Sequence, residues 1–222
     1  RGHLMMELPD VVILPSCPFP SLSWYRASLS EGEVFLDIHE NYVKQTERNR
    51  IFISDAQGAK FITLPVYRRN LDSRAVSDIV FTEAMNPKVM MKHISTAYKS
   101  APFFEHFEDE LRGFFEKHGL PGKSLLEFNI ASLQWVQEMI GLGKVDGLTK
   151  TSSFLSLNNI YGGDYRVKGA LSNEVWSFKK YPQTFEDRNG FIDNLSVLDA
   201  LFHDPNEVEN WCLETYIRGQ KN

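Results

Sequence analysis

The apolar residues of this 222-residue chain change their spacing near residue 87, and that change restricts the fold more than any other feature. Ahead of it stand short β-rich runs: "VVILP" at 11–15, "EVFLDI" at 33–38, "RIFIS" at 50–54 and "KFITLPVY" at 60–67. Runs this short, bounded by turn residues, predict strands. After it the period is helical. Val89, Met90, Ile94, Ala97 and Tyr98 make one stripe, Pro102 breaks the chain, and Phe104, Phe107, Leu111, Phe114 and Phe115 make the next. A third helix is predicted from Ser124 to Ile140, ended by Gly141. The expectation is an α/β fold: a single domain over 1–222, with a mixed β-sheet that includes an N-terminal hairpin and a helical lobe at about 88–140. "SLSWYRASL" at 21–29 reads as a helix, and Thr149 to Phe154 and Trp176 to Phe178 read as short strands. A helix is expected over 194–202 with Asn194 as its cap, and a last one from about Glu207 to Ile217.

Composition narrows the function classes. A formal charge of -5 and a pI near 5.7 argue against a general nucleic-acid binder, so any cationic site must be local. Cys17 and Cys212 match no metal or redox spacing, which predicts a reducing compartment and no metal, and the start "RGHLMMELPD" lacks the apolar core of a signal peptide, which predicts a cytoplasmic protein. No run approaches the ~18 to 20 apolar residues that cross a bilayer, and no membrane insertion is expected. "RGHLM", residues 1–5, reads as a cloning remnant ahead of Met6. The sequence holds no GxSxG, P-loop, HExxH or GxGxxG motif and implies no cofactor; the oligomeric state is not legible in it.

The densest chemistry is in "ENYVKQTERNRIFI", 40–53. Lys44, Arg48 and Arg50 suit a phosphate, and Gln45 and Asn49 add neutral donors and acceptors for a sugar or base. "DAQGA" between two β-rich runs marks a hairpin. If Ser54 faces Ala59, antiparallel pairing sets Arg50 opposite Thr63, Arg48 opposite Pro65, and Lys44 and Gln45 near Arg69 and Arg68. All the cations then gather at the open end of the hairpin. The alternative is a solvated strand end, or arginines paired with Asp37 or Glu47 as scaffold.

Two histidines are candidates for a general base. His39 follows Asp37 by two residues, so a continuing strand points both the same way, with the carboxylate orienting the imidazole. His93 borders the apolar stripe of its helix and reads either as a base or as a half-buried structural residue. Cys17, set among prolines in "LPSCPFP", reads as an inert apolar residue. In "YPQTFEDRNGFIDNLSVLDALF", 181–202, Gln183, Glu186, Asp187 and Asp193 precede a capped helix; the acids suit sugar hydroxyls or a metal, and a turn with a helix cap explains them without either.

Taken in order, "LPSCPFPSLSWY", "HENYVKQTERNRIFI", "LPV", "HISTAYKSAPFFEHFEDEL" and "YPQTFEDRNGFIDNLSVLDALFHDPNE" resemble the WbqC-like family of bacterial proteins over about 11–206. The resemblance implies a role in bacterial surface polysaccharide or O-antigen biosynthesis, with an acyl or aminoacyl group passed to a nucleotide-linked amino sugar. It marks Lys44, Gln45, Arg48, Asn49 and Arg50 as the family's most distinctive motif, and His93, Tyr98, Gln183, Asn194 and Asp199 as lesser ones. The implied partner is a small phosphate-bearing nucleotide sugar. On this model His93 or His39, with Asp37, is the catalytic group, and Lys44, Gln45, Arg48, Asn49, Arg50, Arg68, Tyr98 and Gln183 bind substrate. A module that binds such a metabolite without chemistry needs the same cations and no base.

Overall fold

A computed structural model describes residues 8–143, 149–156 and 162–218; residues 1–5 lie outside these. In chain order the elements are β1 (Val11–Pro15), α1 (Leu22–Ser28), β2 (Glu33–Asp37), the hairpin β3 (Arg50–Asp55) and β4 (Gly58–Thr63), β5 (Val66–Arg68) and β6 (Ile79–Phe81). Three long helices follow, α2 (Pro87–Tyr98), α3 (Phe104–His118) and α4 (Leu125–Ile140), then β7 (Thr149–Lys150) and β8 (Trp176–Ser177). The chain closes with α5 (Glu186–Asn189), α6 (Val197–His203), α7 (Val208–Leu213) and β9 (Tyr216–Ile217).

β1 is a run of apolar residues because both of its faces are covered, as in parallel sheets generally: Val12, Ile13 and Leu14 are fully buried. It pairs in parallel with β2, from Val11↔Glu33 to Pro15↔Asp37, and β7 extends the sheet beyond β2. At its other edge Ile13 takes a parallel bridge to Asp164 through Gly163 O and Tyr165 N–H, at 2.8 and 2.9 Å. The hairpin has the expected register, Ser54↔Ala59 and Arg50↔Thr63.

The strands are divided among small sheets, and Pro65 shows why. Leu64 N–H still reaches Asn49 O at 2.8 Å, but Pro65 has no N–H to continue the ladder. The chain therefore changes partner, and β5 pairs with β6 instead. Arg48, expected opposite Pro65, belongs to a short 3-10 turn, Glu47–Asn49, whose cap is Thr46.

The helices follow their apolar stripes. Asn86 caps α2 through Lys88 N–H with Pro87 in the first turn, Ser124 caps α4 through Glu127 N–H, and Gly141 ends α4 in the left-handed region at φ 70°. The inner faces of α3 and α4 meet Phe19, whose ring lies 5.0 Å from Phe114 and 5.7 Å from Trp135. Full burial of each such side chain is worth roughly 1.5–3 kcal/mol.

The C-terminal region departs from expectation in two places. α6 begins at Val197 with Ser196 as its cap, because Asn194 is held at φ 53° and its amide is used elsewhere, accepting from Ser23 N–H and donating to Leu171 O. The last helix stops at Leu213, and β9 then pairs with β8. Among the described residues no helix is long and apolar enough to cross a membrane.

Candidate functional site

Two polar centres lie inside the molecule. The first is at the carboxyl ends of the parallel strands, where ligands of open α/β sheets are commonly bound. Here the positions are filled by the protein's own charges. Asp37, the last residue of β2, accepts from Arg166 Nη1 at 2.6 Å, from Thr151 Oγ1 at 2.9 Å and from the backbone N–H of His39 at 2.9 Å. Arg166 also grips Asp164 with Nε and Nη2, both at 2.8 Å. The Asp164 contact, then that of Asp37, outweighs burial and raises the guanidinium's pKa.

Arg48 belongs to the same centre. It is 1% exposed and holds Glu40 with a two-pronged grip, Nε–Oε1 at 2.9 Å and Nη2–Oε2 at 2.8 Å, while Nη2 also donates to Arg166 O at 2.8 Å. Burial works against the charge, but the Glu40 carboxylate prevails and raises the pKa of Arg48. Asn129 Nδ2 ties the backbone of Ser16 to that of Arg48.

The second centre is a small cleft between β3, the end of α2, the 183–190 segment and α6, with about 10 Å3 of free volume, the room of one water. Asp199 forms its floor. Fully buried on α6, it accepts from Tyr181 Oη at 2.5 Å and from Gln183 Nε2 at 3.1 Å, and the Tyr98 hydroxyl, which accepts from Ser54 N–H at 3.2 Å, lies in its electrostatic reach. Burial pushes its carboxyl above the usual range, against His203, the tyrosines and Gln183, which favour the charge. Burial, and then the Asp199 charge, raise the Tyr98 and Tyr181 phenols.

His203, one helical turn after Asp199, completes the cleft. Its Nε2 lies 2.8 Å from Thr184 N and 2.8 Å from Thr184 Oγ1, and its Nδ1 lies 2.7 Å from Asp199 O. A backbone N–H can only donate, so Nε2 is the acceptor, and the proton sits on Nδ1, where it binds the helix carbonyl. The Thr184 N–H and the Thr184 hydroxyl then share the one lone pair of Nε2. Gln183 pins the segment shut with a pair of bonds to Ile192, Nε2 to O at 2.8 Å and N–H to Oε1 at 2.9 Å.

A larger cleft of about 330 Å3, between α3, the end of α4 and 205–209, is lined by His106, Asn206 and Glu209 together with apolar side chains such as Phe107 and Met139. Among the described residues, none of these three side chains is hydrogen-bonded to another. No group of three His, Cys, Asp or Glu among the described residues is placed to hold a metal ion.

The model of the WbqC-like protein family matches residues 19–160, more than half of the chain. The chain belongs to the WbqC-like protein family. No curated protein and no solved structure matches it. The match takes in the 40–50 motif, Asp37 and Tyr98, whereas the 181–203 half of the cleft lies beyond it.

Within this WbqC-like chain the residues singled out in the sequence separate into three groups. Arg48 and Asn49 are buried, Asn49 Nδ2 donating to Leu64 O at 3.0 Å. Lys44 and Gln45 are exposed, Gln45 with a left-handed backbone at φ 56°, and Arg50 lies over the Phe61 ring at 4.2 Å. Arg68 is half-buried at the end of β5, and Arg69 pairs with Asp78 at 3.7 Å.

Of the candidate bases, His39 and His93 are both exposed. β2 ends at Asp37, and the Asp37 carboxylate takes the backbone N–H of His39 and the guanidinium of Arg166. Tyr98 and Gln183, eighty-five positions apart, meet at the Asp199 floor. Thr184 and His203 were not among the sequence candidates. The signal available was the spacing of Asp199 and His203, four residues apart across the end of the helix expected over 194–202. Cys17 and Cys212 are buried, and burial raises both thiols.

Proposed function

We propose that this protein transfers an acyl or aminoacyl group to the amine of a nucleotide-linked amino sugar in the making of bacterial surface polysaccharide. Family membership supports the setting, and one observation carries the chemistry: a neutral histidine, fixed by a helix carbonyl, turns the lone pair of Nε2 toward a half-buried hydroxyl in a cleft. Amide formation needs a group that accepts a proton as the amine attacks, and a positioned imidazole does this near neutral pH. In this reading His203 is the base.

Substrate reaches the cleft along the outer face of the hairpin. Arg50, Phe52 and Ser54 alternate onto that face, with Phe61 exposed beside them. From Arg50 to Ser54, a cleft-lining residue, the strand rises about 13 Å, enough to separate a diphosphate from a sugar amine. Lys44, Gln45 and Arg68 add donors for the phosphates, and Arg48 and Asn49 hold the segment that carries them.

The test is production of N-acyl sugar from a nucleotide-linked amino sugar and a glycyl or acetyl thioester, followed by mass spectrometry. His203→Gln, checked for an unchanged melting temperature, should lose about 10²-fold or more in rate. His39→Ala and His93→Ala should keep the wild-type rate. If the sugar nucleotide raises the melting temperature and no donor gives product, the chain is a binding module without chemistry.

A further inference from the structure

We infer that Thr184 is an acyl-carrying nucleophile, activated by His203, so that transfer runs through an ester on the protein. The inference rests on the proposed acyl transfer and adds to it the route. Three observations support it. Thr184 Oγ1 and His203 Nε2 are 2.8 Å apart, and the Thr184 N–H, also at 2.8 Å, fixes the tautomer in which Nε2 accepts; the two donors share its one lone pair, and the N–H has to give way as the hydroxyl proton is transferred. The far nitrogen is anchored at 2.7 Å on Asp199 O, with the Asp199 carboxylate 4.0 Å from Nδ1, so an imidazolium formed on proton uptake has a negative group beside it. A nucleophile, a base in contact with it and a third group orienting the base make up the arrangement that covalent acyl transfer requires. Thr184 is half-buried and lines the cleft, and His203 is buried; the cleft has the room of one water, so an acyl donor reaches the hydroxyl by displacing part of the 183–190 lining.

The steps balance. Thr184 Oγ attacks the carbonyl carbon of an activated acyl donor, a thioester or activated ester, as its proton passes to His203 Nε2. The bond from carbonyl carbon to leaving group breaks, and the leaving thiol or alcohol departs with that proton. The sugar amine then attacks the Thr184 ester, His203 Nε2 takes a proton from the amine, and Thr184 Oγ leaves and regains its hydrogen from His203. The products are the amide, the free thiol or alcohol, and unchanged protein.

The experiment is incubation of the full chain with p-nitrophenyl acetate, intact-mass and peptide mass spectrometry, and hydroxylamine treatment to separate esters from acetylated lysines. Wild type and Thr184→Ser should gain one hydroxylamine-labile acetyl group on the peptide holding residue 184, and Thr184→Ala and His203→Gln should lose it. No labile adduct in wild type, or an equal one in Thr184→Ala, overturns the inference. N-acylation of the amino sugar is measured alongside. If Thr184→Ala acylates the amine at the wild-type rate, the covalent route fails and the transferase reading stands. If the labile adduct forms and no amine accepts it, the nucleophile stands and the proposed acceptor falls.

Discussion

Replacing Arg48 with alanine should unfold much of this protein's margin of stability. The guanidinium is 1% exposed and makes two bonds to Glu40 at 2.8 and 2.9 Å and one to Arg166 O at 2.8 Å. Without it Glu40 is left as a buried carboxylate, in the electrostatic reach of Asp37. Removing one partner of a buried pair costs about 3–5 kcal/mol, set against a typical total of about 5–15 kcal/mol. With a urea m-value near 3 kcal/mol/M, the midpoint should fall by roughly 1–2 M. Arg48→Met combined with Glu40→Leu removes both charges and should recover most of that loss, since no unpaired ion remains. Urea denaturation followed by tryptophan fluorescence measures Arg48→Ala and the four corners of the cycle, wild type, Arg48→Met, Glu40→Leu and the double variant. A loss under about 1 kcal/mol for Arg48→Ala, or simple additivity in the double variant, would refute the claim that the pair holds the segment together.

Asp199→Asn should change how stability depends on pH. The folded carboxyl has its pKa raised by burial, so above the ordinary carboxylate range, near about 3.9, the folded state holds a proton that the unfolded state has released. The wild-type contribution is therefore full at low pH and is lost as pH rises through the folded pKa. Asparagine abolishes that fall, and denaturation curves of the variant from acid to neutral pH should be flatter than those of wild type. A fragment limited to 19–160 should fail to fold cooperatively, because Asp37 loses Arg166 and the core loses α6, every residue of which is buried. Circular dichroism melting of the fragment checks this; a sharp transition near that of the full chain would contradict it.

How far the fold was legible depended on whether its causes were local. The hairpin register follows from pairing arithmetic on a short turn, and α2, α3 and α4 follow from apolar stripes with Asn86, Ser124 and Gly141 as stops. The partner change at Pro65 was marked by the proline, but its consequence for Arg48 depended on where β5 would pair. The start of α6 was misread because Asn194 is a good cap in isolation, and only Ser23 and Leu171, far off in sequence, claim its amide. The same holds for the cleft. Tyr98, Gln183 and Asp199 were visible as motif residues, but nothing local says that three segments bring them to one carboxylate. Thr184 and His203 are ordinary until a backbone N–H fixes the imidazole's tautomer.

The contrast between the two polar centres bears on where chemistry is done. At the sheet's carboxyl end, Arg166 is shared by Asp37 and Asp164, and Arg48 is committed to Glu40 and Arg166 O. A phosphate entering there would have to displace carboxylates held at 2.6 to 2.9 Å from their arginines, inside a region closed to water. Displacement would strand those carboxylates buried and unpaired, at a cost of several kcal/mol each, which a single anion does not return. The densest run of charge in the sequence is for that reason a poor place to bind from its buried half, and the exposed Lys44 and Gln45, with the half-buried Arg50, are the part open to a ligand. In the cleft, by contrast, the groups that could react are neutral, a hydroxyl and an imidazole, and reaching them breaks no ion pair. A fold that saturates its charges at one end of β3 and leaves a polarised hydroxyl at the other separates the groups that hold the chain together from those able to turn over.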